Sequence, residues 1–211
     1  MDAYDDSVSG LSVRSANDLI MHCILWRHVD RLHHRYKSVN YPFKAFLTLA
    51  LLFKVMPLNA ADISANASRD AMRLVECMKA FDAVCANSLT YTKIFEDHGI
   101  PRDELDKTVA NFYQKLKSDH ATYSRFDLRA PWRPFVVGGL NYIFIPYDMV
   151  LEVRGQNTLS KVFFIGISDD SGVSWKFVDG QKTTPENIAQ IIPGYGGAAL
   201  PPRSFEQSAA Q

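Results

Sequence analysis

Three carboxylates, Asp127, Asp148 and Glu152, fall in a stretch of the chain crowded with aromatic rings. A carboxylate held against an aromatic wall with a raised pKa serves as a general acid or base, the equipment of a small hydrolase or isomerase. On a strand, however, Asp148 and Glu152 share a face about 13 Å apart, too far to act as a catalytic pair. Solvated strand-face charge is the plainer reading. Arg129 and Arg133 flank Pro131-Trp132, and with Trp132, Tyr142 and Tyr147 they are the ligand-binding candidates. Arginine grips an acid group with two parallel bonds, and the rings supply an apolar wall. His28, Asp30, His33 and His34 have the residue types of a metal site but not its spacing. His28 and His33 miss the i, i+4 step, and His33 and His34 point apart on a helix. His98 and His120 each sit beside an aspartate near a helix end, as caps or surface residues. Nothing here requires a metal or another cofactor. No serine sits in a G-x-S-x-G elbow, and Gly194-Tyr195-Gly196-Gly197 opens no helix, so it is not a dinucleotide loop.

The sharpest local pattern is residues 168–175, SDDSGVSW. Asp170 is placed to accept backbone N–H groups of a tight turn, Gly172 to take a positive φ, and Trp175 to pack beneath. Ser168, Asp170, Gly172 and Trp175 carry a resemblance to the Asp-box, S-x-D-x-G-x-[ST]-W, found on hairpin turns of sialidases and other secreted β proteins. The resemblance covers eight residues and implies a folding device, not sialidase activity.

Location is the most legible property. Lys44 precedes a nine-residue apolar run, 45–53, followed by Lys54, Pro57 and the small residues Ala60 and Ala61. A positive flank, a short apolar core and a small-residue exit are the parts of an export signal. The run is too short for a membrane span, which takes about 20 apolar residues. Residues 44–61 therefore read as a signal segment and residues 62–197 as one domain. Residues 198–211 read as a flexible tail. Residues 1–43 are an extension that a start codon placed too early explains, with Val39 near the true initiator. The rival reading is a cytoplasmic protein in which residues 1–60 form a helical hairpin, burying Leu19, Ile24, Leu47 and Leu51 against Phe81 or Phe112. Cys77 and Cys85 invite a disulfide in an exported domain. Eight residues of unbroken helix would hold them about 12 Å apart, beyond the roughly 7 Å limit for a bridge. A bridge therefore requires the helix to break between them.

The elements that must position these groups come in two blocks. Leu74, Met78, Phe81, Cys85 and Leu89 recur at helical spacing and place one helix over 68–86 or longer. Pro101, Asp103 and Glu104 open a second, whose inward face is Leu105, Val109, Phe112 and Leu116. After Pro131 the period becomes 2. Residues 141–153 form a strand that Pro146 interrupts, and residues 159–167 form a central strand. A third holds Trp175 and Phe177 on one face. Thr184-Pro185-Glu186 starts a short helix that Pro193-Gly194 ends.

Helices first and a meander second make an α+β fold, with N-terminal helices packed on a curved antiparallel sheet shaped as a cone or half-barrel. The layout resembles NTF2-like and cystatin-like proteins. Enzymatic members of those families hold an Asp–His or Tyr–Asp pair inside the cone, and no such pair is evident in this sequence. The 23 basic residues balance 23 acidic ones, with no basic stripe for a phosphate backbone, so nucleic acid is not an expected partner. The expectation is an exported, periplasmic or secreted, non-enzymatic domain that binds a protein or small molecule and keeps no membrane span in its mature form. The alternatives are the small carboxylate enzyme and the cytoplasmic interaction protein.

Overall fold

The computed structural model describes residues 59–196 and 199–209. The histidine cluster, the apolar run and the proposed N-terminal hairpin lie outside the described residues, except that residues 59–61 belong to the start of the first helix. That helix, α1 (Ala60–Lys79), begins where Asn59 Oδ1 accepts the N–H groups of Ala61 and Asp62 at 2.8 and 2.9 Å, satisfying two donors that every helix start leaves open. Ala67 and Ala71 are fully buried, and their small side chains let α1 lie close against the sheet.

The single long helix expected over 68–86 does not occur. Helix α1 stops at Lys79, Phe81 takes φ 50°, and Asp82 caps a new helix, α2 (Ala83–Ser88), by accepting Cys85 N–H at 3.0 Å. Side-chain spacing at three and four residues survives this corner, so periodicity alone does not reveal it. The corner brings the Cα atoms of Cys77 and Cys85 to 5.5 Å, and the two are disulfide-bonded. Helix α3 (Lys93–Asp97) is one short turn, and α4 (Arg102–Ser118) starts directly after Pro101 with Asp103 and Glu104 in its first turn.

Six strands follow: β1 (Thr122–Leu128), β2 (Phe135–Val137), β3 (Leu140–Val153), β4 (Gln156–Ser168), β5 (Lys176–Asp179) and β6 (Ser204–Ala209). The long β3–β4 hairpin turns at Arg154-Gly155, both at positive φ, and forms the spine. β1 and β2 share the outer side of β3, while β5 and β6 share the outer side of β4. The fold is α+β, as the sequence implies, but the antiparallel sheet is open, not closed into a barrel. Pro146 does not break β3. Its carbonyl accepts Arg129 N–H at 2.8 Å just past the end of β1, so its missing N–H costs the ladder only a terminal bond. Strand β1 hides from the period-2 pattern because its register shifts between Tyr123 and Arg125, which puts Tyr123 and Phe126, three residues apart, against the same core. Residues 204–209, expected as loose tail, pair with 156–161 as β6.

Each face of the sheet is covered. Ile143, Ile145, Tyr147, Met149, Val162, Phe164 and Phe177 meet the helices. On the other face Phe144, Phe163, Ile165 and Val178 pack under Ile188, Ile192 and Ile94, with a 3₁₀ turn (Ile188–Gln190) across them. Gly166 makes the helix side close-packed: a Cβ there would meet Ile143 at 2.7 Å and Trp175 at 3.1 Å.

Candidate functional site

The residues expected to line a ligand pocket are not gathered into one. Tyr147 and Tyr142 point to opposite faces of β3, and both are buried in the two cores. Trp132 lies edge-on to Phe144 with 37% of its surface exposed, and Arg133 stands in solvent. Arg129 is engaged with Asp148 at 2.5 Å, and Arg125 approaches the same carboxylate at 3.7 Å. Asp127 pairs with Arg125 at 3.1 Å and is about half exposed. Asp148, which is buried, thus joins Asp127 and the two half-exposed arginines in an ion-pair cluster, and Glu152 is half-buried.

The Asp-box-like turn is built from local bonds. Ser168 donates to Asp170 Oδ1 at 2.7 Å and accepts Gly172 N–H at 2.9 Å. Asp170 accepts the N–H groups of Val173 and Ser174 at 3.0–3.1 Å and the Ser174 hydroxyl at 2.6 Å. Partial burial works to raise the Asp170 pKa, but these bonds outweigh it and hold the carboxyl below its usual range. Gly172 sits at φ +88°, and Trp175 is 1% exposed. The sequence does not show that helix α1 clamps this turn. Asn66 donates to Gly172 O at 3.1 Å, Arg69 to Val173 O at 3.2 Å, and buried Asp70 accepts Trp175 N–H at 3.0 Å. Ser168, Asp170, Gly172, Ser174 and Trp175 are all engaged in holding the turn.

A different carboxylate has the character expected of a functional group. Asp179 ends β5 on the helix side of the sheet, paired in register with Phe164. The Tyr147 hydroxyl lies 3.3 Å from its Oδ2, and Gln181 N–H donates to Oδ1 at 2.9 Å. This Tyr–Asp contact is not evident in the sequence. Its members are 32 residues apart in sequence, joined only by the register of three strands. Asp179 as a residue is partly accessible, whereas the dense packing round its carboxyl strips away most of its water. Burial pushes the pKa up to about 6 against the pull of Gln181 and Tyr147.

Rings make the wall. Tyr147 lies 4.3 Å from Phe164 and 4.9 Å from Phe126, centroid to centroid, and Tyr123 lies tilted between Phe126 and Phe81. Burial raises the phenol pKa values of Tyr147, Tyr113 and Tyr123, and the Asp179 charge raises each further. Nearby, the Ser160 hydroxyl is buried without a hydrogen-bond partner on the strand position that faces Met149.

Among the described residues no group of three or more His, Cys, Asp or Glu side chains is placed to hold a metal ion, and no helix is long and apolar enough to cross a membrane. No protein-family model matches the chain, and no curated protein is significantly similar to it.

Proposed function

We propose that this protein works outside the cytoplasm, in the periplasm or the medium, as a non-enzymatic binding or accessory domain for a protein or small-molecule partner. The Cys77–Cys85 bridge carries the reading. Disulfides persist in oxidising compartments and are rare in the cytosol, and this one fixes a helix corner that the sequence makes only by breaking a periodic helix. The charged, apolar and small-residue order of residues 44–61 supports the same location. Processing near Asp62 trims the Asn59 cap, at a cost of about 1 kcal/mol, and leaves α1 to start within its exposed first turn. The test is made on protein from the native host. Thiols are blocked with a maleimide before lysis, and the intact mass is then read. The expected result is a chain beginning near Ala61 or Asp62 with Cys77 and Cys85 unlabelled. A full-length chain with both thiols labelled overturns the reading.

Asp179, partly accessible beside the fully buried Tyr147, favours a second reading, a small hydrolase or isomerase using a buried carboxylate, with Asp179 in the place expected for Asp127, Asp148 or Glu152. Turnover of an activated ester or an enolisable ketone that disappears in a folded Asp179→Asn variant supports it. Equal rates in both proteins exclude it for that substrate.

A further inference from the structure

We propose that the protein pairs with a second copy of itself through the outer edge of β1, as a two-fold dimer whose axis passes at Phe126. The inference goes beyond the reading above and depends neither on export nor on a ligand.

The edges of the sheet are treated unequally. The β5 edge is bonded to the Leu89–Tyr91 connector, whereas no described residue pairs with the outer side of β1. Which backbone groups face outward there follows from the ladder. Arg129 N–H bonds Pro146 O, and that pair continues the register of Leu128 with Tyr147 and Asp127 with Asp148. Bonded and unbonded pairs alternate along an antiparallel ladder. Arg125 and Asp127 therefore turn their backbone groups to β3, and Phe126 and Leu128 turn theirs outward.

A two-fold axis at Phe126 makes this residue a hydrogen-bonded pair with its own copy. Arg125 of each copy then stands opposite Asp127 of the other, in an unbonded pair, where Cα atoms approach to about 4.5 Å. Within one chain Arg125 already meets Asp127 at 3.1 Å, and the two side chains are 47% and 51% exposed. Across the axis each arginine gains a second carboxylate, so four charges alternate in sign round it. Opposite charges facing each other on neighbouring strands stabilise the pairing. The other face of the contact is apolar, since Phe126 and Leu128 are only partly buried against the core. The outer side of β6 is open too, but its one charged residue, Glu206, has no cation on that strand to match it.

Charges on an edge commonly guard it against strange strands, and here they select one register. Moving the axis to Asp127 sets Asp127 opposite itself and Arg125 opposite Arg129, all like pairs. The register shift between Tyr123 and Arg125 ends the regular ladder on one side. On the other, Pro131 and Pro134 have no N–H to offer. The contact is short and closes on itself, which gives a pair and not a fibre.

The test is sedimentation velocity of the full chain from about 1 to about 500 μM, a span that covers weak dimers. The wild type is expected to dimerise within it. Arg125→Asp and Asp127→Arg each set like charges across the axis, and each alone should weaken dimerisation at least about tenfold. Mixing the two variants sets aspartate opposite arginine again and should restore the dimer. Both variants are checked by circular dichroism, and amide exchange of the wild type decides the matter if either misfolds. Concentrating the wild type should slow exchange at Phe126 and Leu128, while Arg125 and Asp127 stay protected throughout. A wild type that remains monomeric, single variants that dimerise equally well, or a mixture that stays monomeric overturns the proposal. So does exchange at Phe126 and Leu128 that ignores concentration.

Discussion

Two acidic centres face the helices from opposite ends of the same sheet edge, and they are treated in opposite ways. At the 168–175 turn, Asp70 and Asp170 have their oxygens met by backbone N–H groups, serine hydroxyls and Arg69. At the other end of β5, Asp179 has one N–H and one phenol, and packing has raised its pKa. A satisfied carboxylate stabilises the fold and is unavailable for anything else. An undersupplied one weakens the fold. The contrast lies in the partners each carboxyl is given and not in residue type, since all three residues are aspartates.

The largest effect that sharpens this comparison belongs to Asp70. Asp70→Ala strands the buried Trp175 N–H and releases Arg69, and should cost about 3 kcal/mol in urea unfolding. If it costs less than Asp148→Asn, the turn is not the anchor described. Asp179→Asn should act in the other direction. The unfolded carboxyl ionises near 3.8 and the folded one near 6. Below pH 3.8 both states are protonated and the residue has no effect. Between 3.8 and 6 the unfolded chain sheds its proton first, so stability falls as pH rises; above 6 the penalty is constant. The full shift corresponds to about 3 kcal/mol, and partial access to water trims the expected gain to about 2 kcal/mol at pH 7.5. Melting curves at pH 7.5 and 3.5 should show stabilisation by Asp179→Asn in the first and none in the second. Destabilisation at pH 7.5 would make Asp179 another scaffold residue.

Smaller effects test the margins. Gly172→Ala forces a side chain into positive φ with its Cβ 3.0 Å from Ile63, and should lower stability by about 1 kcal/mol. Asp148→Asn disrupts ion pairs with arginines that are about half exposed, and should change thermal stability by about 0.5 kcal/mol, less in high salt.

How much of this was legible depended on whether the cause was local. The Asp170 turn could be read from eight residues because its bonds span four residues or fewer. The central strand 159–167 could be read because both of its faces are apolar. Strand β1 could not, because a bulge beside Ser124 spoils the alternation that identifies strands. The corner at Phe81 kept helical spacing while abandoning the helix. Asp179 is not legible in the sequence because its setting comes from Tyr147, Tyr123 and Tyr113, brought from two other strands and a helix. In sequence it is one acid after Trp175-Lys176-Phe177-Val178. Asp148 has a ring-rich neighbourhood in sequence, yet in the fold it meets Arg125 and Arg129 instead.

One contact of β5 reaches beyond the site. The N–H of Phe177 donates to Leu89 O at 2.8 Å, and Tyr91 N–H donates to Phe177 O at 3.0 Å, a short parallel bridge at Thr90. These bonds use the groups that an unprotected edge would offer to a neighbouring molecule. The connector between the small helices thus acts as a built-in bumper against intermolecular strand pairing.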